Sequence, residues 1–177
     1  VYWESSLKNF NQDGELKSFA TSVIKNIDSF YMKGKSLFIL GNLGTGKSMV
    51  SCCMLKVAAL NGYSCLYANM GDIVTRSINN SMGLISDLAE MDFLVIDEFD
   101  SRWIFPSEKA ESLFGSTMEY LLRTRFQKGL PTIICSNSID VDSVLSDDYS
   151  KSLKSMRHYY CTTLHVKGKD FRRRNVR

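Results

Sequence analysis

Short apolar runs recur along the chain, and five of them have the length and composition of β-strands. Phe93–Ile96 is four apolar residues in succession, which is typical of a strand that is buried on both faces of a sheet. The last run alternates apolar and polar residues instead. The predicted strands are Ser36–Leu40, Ser64–Ala68, Asp92–Asp97, Pro131–Ser136 and Cys161–Val166.

Between these runs the apolar residues recur at helical spacing, and the amphipathic segment Glu15–Phe30 is the first example. Gly62 and Ser107 have the residue types expected at a helix C-terminus and N-terminus. The other predicted helices are Lys47–Asn61, Asp72–Asn79, Leu84–Met91, Ser107–Gln127 and one or two helices within Val141–Met156. Strands that alternate with helices predict an α/β fold, with a five-stranded parallel sheet flanked by helices in one domain over residues 1–177.

The composition is that of an ordinary globular protein, with 177 residues of which 44% are apolar and 23% charged. It excludes a disordered or collagen-like chain, and the apolar runs are too short to cross a membrane. Five cysteines without a C-x-x-C pair argue against a zinc site and for reduced thiols in a reducing cytoplasm.

The positive charge is concentrated at the end of the chain. Lys167–Arg177 carries a net charge of +5, which leaves −2 for the remainder. Such a tail is compatible with nucleic-acid binding, and a solvated terminus is an equally common explanation.

The segment Gly41-Asn42-Leu43-Gly44-Thr45-Gly46-Lys47-Ser48, followed by Met49, fits the phosphate-binding pattern G-x-x-x-x-G-K-[ST] between a predicted strand and a predicted helix. Glycines let successive backbone N–H groups point at phosphate oxygens, and the helix N-terminus favours negative charge. Lys47 is expected to reach the β- and γ-phosphates, and the Ser48 hydroxyl to ligate Mg²⁺. The alternative is a fortuitous glycine-rich turn.

Two acids, Asp97 and Glu98, follow the most apolar strand. We expect Asp97 to hold Mg²⁺ and Glu98 to act as a general base on water. An acidic pair favours ATP hydrolysis over a GTP switch, which usually positions its water with a glutamine. The alternative is that Glu98 merely begins a loop.

Asn137 follows the fourth predicted strand, and ligands of open α/β sheets bind at the carboxyl ends of the strands. We therefore expect Asn137 to reach the γ-phosphate or the attacking water. A turn-forming asparagine is the alternative.

Taken together, these motifs resemble an AAA+ ATPase and, more narrowly, the DnaC/DnaI type of replicative helicase loader and the IstB transposition helpers. The resemblance extends from Leu7–Phe10 to the closing Gly168-Lys169-Asp170-Phe171-Arg172. The phosphate loop alone indicates only a nucleotide-binding protein. The closing segment and Leu130–Asn137 are what restrict the resemblance to this family. These relatives usually carry glycine soon after the acidic pair, whereas this chain has Phe99-Asp100.

The resemblance implies the remaining site residues. Asn137 corresponds to sensor 1, Arg172 to the sensor-2 arginine and Arg157 to the arginine finger that reaches a neighbouring subunit's nucleotide. Arg123 and Arg125 are reserve candidates for the finger. The cofactors implied are ATP or ADP with Mg²⁺, and adenine specificity follows from the resemblance alone.

The resemblance also implies a domain organisation and partners. We expect an excised AAA+ domain, without a C-terminal lid domain and without the family's N-terminal helicase-binding domain. The implied partners are a ring helicase, further copies of this chain and single-stranded DNA. Asp72–Ala89 is the implied DNA-facing region, and its single basic residue, Arg76, predicts weak binding that depends on assembly. The other candidate functions are a transposition helper ATPase of the IstB type, an ATP-switched adaptor with little hydrolysis, and a small-molecule kinase.

Overall fold

The computed structural model describes residues 6–10, 14–79, 82–100, 107–138, 147–168 and 170. These residues form one five-stranded sheet in which every strand pair is parallel. The strands are β1 Ser36–Gly41, β2 Cys65–Asn69, β3 Phe93–Asp97, β4 Thr132–Ser136 and β5 Cys161–Val166, in the order β2-β3-β4-β1-β5. This confirms the predicted fold class, and each predicted strand lies within one residue of its observed bounds.

A 3-10 helix at Leu7–Asn9 precedes the first α-helix. The α-helices are α1 Glu15–Lys25, α2 Ile27–Met32, α3 Lys47–Leu60, α4 Met70–Ile78, α5 Met82–Glu90, α6 Glu108–Gln127 and α7 Asp147–Tyr160. Predicted helical residues 141–146 lie outside the described residues, and α7 continues four residues beyond the predicted end at Met156.

The prediction of one helix over Glu15–Phe30 is wrong at a single residue. Asn26 has φ −131° and ψ 42°, so α1 ends there and α2 begins. Its side-chain Nδ2 donates to the Ser22 carbonyl oxygen at 3.0 Å. This local hydrogen bond competes with the helical backbone, which is why asparagine is unfavourable inside helices.

The sheet separates two hydrophobic cores, because alternate residues of each strand point to opposite faces. One core combines strand residues such as Phe38 and Ile96 with α4, α5, α6 and α7. The other combines residues such as Ile39 and Val95 with α1, α2 and α3. All five residues of β3 are buried, as the apolar run predicted.

The parallel arrangement brings the carboxyl ends of the strands to one edge of the sheet. The loop after β1 leads into α3, and the acidic pair and Asn137 follow β3 and β4 at the same edge. Of the residues after β5, the structure describes Lys167, Gly168 and Asp170. No helix in the described part of the chain is both long and apolar enough to cross a membrane.

Candidate nucleotide-binding site

The loop between β1 and α3 depends on glycine at two positions. Gly44 has φ +74° and Gly46 has φ +87°, in the left-handed region that other residues rarely adopt. A Cβ atom at Gly44 would clash with the Asp170 side chain, and one at Gly46 with the ring of Phe10. Thr45, fully buried, donates from Oγ1 to the Asn42 carbonyl oxygen at 2.9 Å. The glycines thus serve both the curvature of the loop and the close packing around it.

Lys47 opens α3 with its side chain only 5% exposed. Its Nζ donates to the carbonyl oxygens of Gly41 at 2.7 Å and Asn42 at 2.8 Å, and to Oδ1 of Asn137 at 2.8 Å. A buried ammonium group requires such partners, because burial without them is very costly. The structure therefore brings Lys47 and Asn137 together, as expected if both serve one ligand.

Asp97, at the end of β3, is also buried. Its Oδ2 accepts a hydrogen bond from the Tyr67 hydroxyl at 2.5 Å, and its Oδ1 accepts one from the Glu98 backbone N–H at 2.8 Å. Burial, followed by this hydrogen bond to Asp97, raises the pKa of Tyr67, so its proton is retained and donated to the carboxylate. Two donors thus fix the orientation of Asp97.

Glu98 differs from its neighbour in both exposure and backbone conformation. Its side chain is exposed, and its φ of 57° is the only positive value at a non-glycine residue in the described part of the chain. A left-handed conformation is unfavourable for glutamate by about 1–2 kcal/mol. Strain of this kind occurs where surrounding structure imposes it, most often at functional sites.

Asn137 contacts one acidic residue in addition to Lys47. Its Nδ2 donates to Oδ2 of Asp100 at 3.3 Å, while its Oδ1 accepts from Lys47. Asp100 is 3% exposed. The chain of contacts Lys47–Asn137–Asp100 therefore connects the phosphate loop with the segment after β3.

Two segments distant in the chain close around the phosphate loop. The ring of Phe10, itself buried, packs on Gly46, and Asp170 packs on Gly44. Phe10, before α1, and Asp170, after β5, are thus both beside the loop. Arg172, the predicted sensor-2 residue, lies outside the described residues.

Arg157 lies in the last turn of α7, immediately before β5. Its Nη1 donates to Oγ1 of Thr163 at 3.2 Å, and Thr163 pairs with Phe38, three residues before Gly41. At roughly 3.3 Å per residue, that point is about 10 Å along the sheet from the phosphate loop. The structure does not bring Arg157 to the nucleotide loop of its own chain.

An open cleft surrounds Arg157, with a volume of about 490 Å³. Lys151, Lys154 and His158 contribute to its lining, and among the described residues no acidic side chain does. The exposed Tyr159 lies at the same cleft. The cleft therefore suits a negatively charged ligand or surface.

The two reserve arginines have other roles. Arg125 is completely buried, and its guanidinium donates to the side chain of Thr132 and to the carbonyl oxygens of Leu88, Met91 and Pro131. Such a side chain does not reach a neighbouring subunit. Arg123 pairs on its own helix with Glu119 at 2.6 Å and also contacts Ser152.

In the predicted DNA-facing region, Arg76 and Asn79 are exposed on and just after α4. Asn80 and Ser81 lie outside the described residues. This surface retains one basic side chain, as the sequence indicated.

The donor set of the site suits a nucleotide with Mg²⁺. Ser48, half-buried in the first turn of α3, and Asp97 offer a hydroxyl and a carboxylate, which are hard oxygen ligands of the kind that Mg²⁺ prefers. The glycine loop, the helix N-terminus and Lys47 offer donors and positive charge for phosphates. The residues present therefore fit both groups.

Sequence reasoning missed Tyr67 and Asp100. Tyr67 lies on β2, and its role follows from the pairing of Asn69 with Asp97, which places β2 beside β3. Asp100 was noted only as a departure from a glycine-containing pattern. No local sequence signal marks either residue, since both act across neighbouring strands.

Together these features define an α/β fold in which a parallel sheet presents a glycine loop, a carboxylate and a polar side chain at one edge. More narrowly, the fold is that of a DnaC/DnaI-type AAA+ domain, since solved structures of DnaI and of the DnaC helicase loader are similar to it. This confirms the resemblance inferred from the sequence.

The DnaI structure has a TM-score of 0.75 and 17% identity, over 96% of this chain and 91% of DnaI. The DnaC loader has a TM-score of 0.73 and 18% identity, over 94% of this chain and 98% of that one. The replication initiator DnaA bound to AMPPCP and single-stranded DNA has a TM-score of 0.70 and 18% identity, over 94% of this chain and 51% of DnaA. No protein-family model and no curated protein matches the sequence.

Proposed function

We propose that this chain is the ATP-binding and ATP-hydrolysing AAA+ domain of a DNA replication helicase loader, acting in the cytoplasm. The observation that carries the proposal is the Lys47–Asn137 contact, which joins the glycine loop after β1 to the end of β4 at 2.8 Å. Both side chains lie at the same edge of the sheet, so one ligand bound in the glycine loop would contact both. The similarity to DnaI and DnaC supports the helicase-loader assignment.

The phosphate loop supplies binding. Its backbone N–H groups and Lys47 hold the β- and γ-phosphates, and phosphate oxygens replace the carbonyl and amide oxygens that Lys47 now contacts. Ser48 and Asp97 hold Mg²⁺, which neutralises charge on the phosphates when it is bound. Tyr67 keeps Asp97 oriented for that role.

Glu98 and Asn137 supply the chemistry. Glu98 is the general base that takes a proton from the attacking water, and its exposure leaves it accessible to solvent. Asn137 orients the water or the γ-phosphate through its amide group. The two adjacent acids therefore have separate roles: the fixed Asp97 binds Mg²⁺, and the accessible Glu98 takes the proton.

Arg157 acts on the nucleotide of a neighbouring copy. Its separation from the phosphate loop of its own chain and the positive lining of its cleft support this role. An arginine stabilises the charge that develops on the transferred phosphoryl oxygens. Arg172 is proposed as sensor 2 in the same chain, because Asp170, two residues earlier, contacts the phosphate loop.

We assign residues 1–177 to one AAA+ domain of a helicase loader, whose partners are a ring helicase and single-stranded DNA. DNA binding is expected to be weak in one copy and to increase with assembly, since Arg76 is the one basic side chain of the 72–89 region. A structural neighbour bound to AMPPCP and single-stranded DNA supports this combination of ligands.

The test is ATP hydrolysis by this domain with and without single-stranded DNA, beside Lys47→Ala and Glu98→Gln. Turnover that rises with DNA and is lost in both variants supports a DNA-coupled loader ATPase. ATP binding without turnover under any assembled condition would instead make the domain an ATP-switched adaptor of the loader or IstB type. Phosphoryl transfer to a metabolite would make it a kinase.

A further inference from the structure

Asp100 occupies a fixed position beside the sensor residue. Phe99, immediately before it, is completely buried and packs against Phe38 with ring centroids 6.5 Å apart. The Phe99 N–H also donates to the Cys135 carbonyl oxygen at 2.9 Å. The segment after β3 is therefore anchored to β4 two residues before Asn137, and this anchor holds Asp100 next to the amide.

The two contacts of the Asn137 amide have opposite hydrogen-bonding character. Lys47 is a donor only and lies at Oδ1, whereas the carboxylate of Asp100 accepts at Nδ2. Turning the amide over would place an NH₂ group against an ammonium and an oxygen against a carboxylate. With both partners present, the amide has one favourable orientation.

Nucleotide binding removes one of the two charged contacts that orient the Asn137 amide. When Lys47 turns to phosphate oxygens, Oδ1 of Asn137 loses its donor, and Asp100 is the charged contact that still distinguishes the two ends of the amide. Nδ2 carries two N–H groups. With one directed at Asp100, the other is held ready for a phosphate oxygen or a water molecule.

We infer that Asp100 is a positioning residue of the ATP-bound site, which fixes the orientation of the Asn137 amide so that an N–H group faces the γ-phosphate. The inference rests on the proposed function, because it requires a γ-phosphate at this site. It also gives a role to a residue that departs from the glycine-containing pattern after the acidic pair. A carboxylate buried to this degree needs partners, and orienting an amide uses one of its hydrogen bonds.

The test compares binding of AMPPCP and ADP, with Mg²⁺, by isothermal titration calorimetry. The proteins are the wild type, Asp100→Asn, Asn137→Ala and the double variant, with Asp28→Asn as an exposed matched control on α2. Asp100→Asn keeps the shape of the side chain, but its amide can present either a donor or an acceptor to Asn137. Asp100→Ala serves the same comparison if the Asn variant does not fold, as judged by thermal unfolding.

We expect Asn137→Ala to lower the preference for AMPPCP over ADP by roughly tenfold, the worth of one hydrogen bond to a charged group. Asp100→Asn should lower it by roughly three- to tenfold and add nothing in the Asn137→Ala background. Asp28→Asn should leave the preference unchanged. ADP affinity should stay within about twofold throughout, because ADP has no γ-phosphate.

Two results would overturn the positioning role alone. One is an unchanged preference in Asp100→Asn when Asn137→Ala lowers it. The other is an Asp100→Asn effect that persists in full without Asn137, as expected for simple charge removal. An Asn137→Ala preference equal to that of the wild type would contradict the γ-phosphate role of Asn137 itself, and the inference with it.

Discussion

Two buried cations lie at opposite ends of β4, and they differ in what holds them. Lys47, at the carboxyl end, is bound by two loop carbonyls and the Asn137 amide. Arg125, at the amino end, donates to Thr132 and to three carbonyl oxygens. Burial lowers the pKa of Arg125 to about 10, so it stays charged at neutral pH.

The difference lies in whether the partners are replaceable. Arg125 satisfies carbonyl oxygens at the end of α5 and just before β4, in a region that is closed to solvent. Lys47 contacts a glycine loop whose remaining groups also suit phosphate. Arg125 therefore fixes the position of the strand, and Lys47 is arranged to exchange its partners for a ligand.

The largest effect is expected at Arg125. Arg125→Met should destabilise the fold by about 3–5 kcal/mol, because several buried acceptors lose their donor at once. Arg123→Met, two residues earlier, removes an exposed ion pair and should cost no more than about 1 kcal/mol. Urea unfolding measures both, and similar losses in the two variants would contradict a special structural role of Arg125.

Lys47→Ala should mainly reduce ATP turnover, whereas Arg125→Met should mainly reduce stability. Turnover of ATP should fall about 100-fold or more, because one charged donor to the phosphates is lost. The free energy of unfolding should fall by about 1–3 kcal/mol, because the buried Gly41 carbonyl oxygen loses its donor. Lys56→Ala on the same helix is the control, and a stability loss in Lys47→Ala as large as that of Arg125→Met would remove the distinction between the two cations.

Glu98 tests whether backbone strain accompanies function at this edge of the sheet. Glu98→Gln should reduce turnover about 100-fold, by loss of the general base, while retaining nucleotide binding. Glu98→Gly should lose turnover equally but gain about 1 kcal/mol of stability, because glycine adopts a φ of 57° without strain. Thermal unfolding separates the two variants, and a less stable glycine variant would argue against strain at this residue.

The smallest effect concerns Asp92, close to Arg125. Burial alone would raise the pKa of Asp92, but hydrogen bonds from Ser64 and Tyr31 and the Arg125 charge lower it overall. A lowered pKa in the folded state contributes stability above the unfolded-state value near 3.8, which is lost as the pH falls through the folded-state value. Asp92→Asn should therefore flatten the decline of unfolding free energy on acidification below about pH 4, and an unchanged decline would contradict this.

The strands and the phosphate loop were predictable because their signals are local. The apolar run before Asp97 and the glycine spacing before Lys47 lie within single segments of the chain. The roles of Tyr67, Asp100 and Arg125 were not predictable, because each depends on contacts between segments far apart in the chain. The helix break at Asn26 was missed for a related reason. Whether an asparagine side chain hydrogen-bonds to the nearby backbone depends on local geometry, which the spacing of apolar residues does not indicate.

The most direct measurement of the central claim is the equilibrium binding of Mg²⁺·ATP to the wild-type domain and to Lys47→Ala, with Lys56→Ala as the control, by isothermal titration calorimetry. If Lys47 exchanges its loop and Asn137 contacts for phosphate oxygens, affinity should fall at least about tenfold in Lys47→Ala and stay at the wild-type value in Lys56→Ala. Equal affinity in all three proteins, with Lys47→Ala folded, would contradict the assignment of this loop as the nucleotide site.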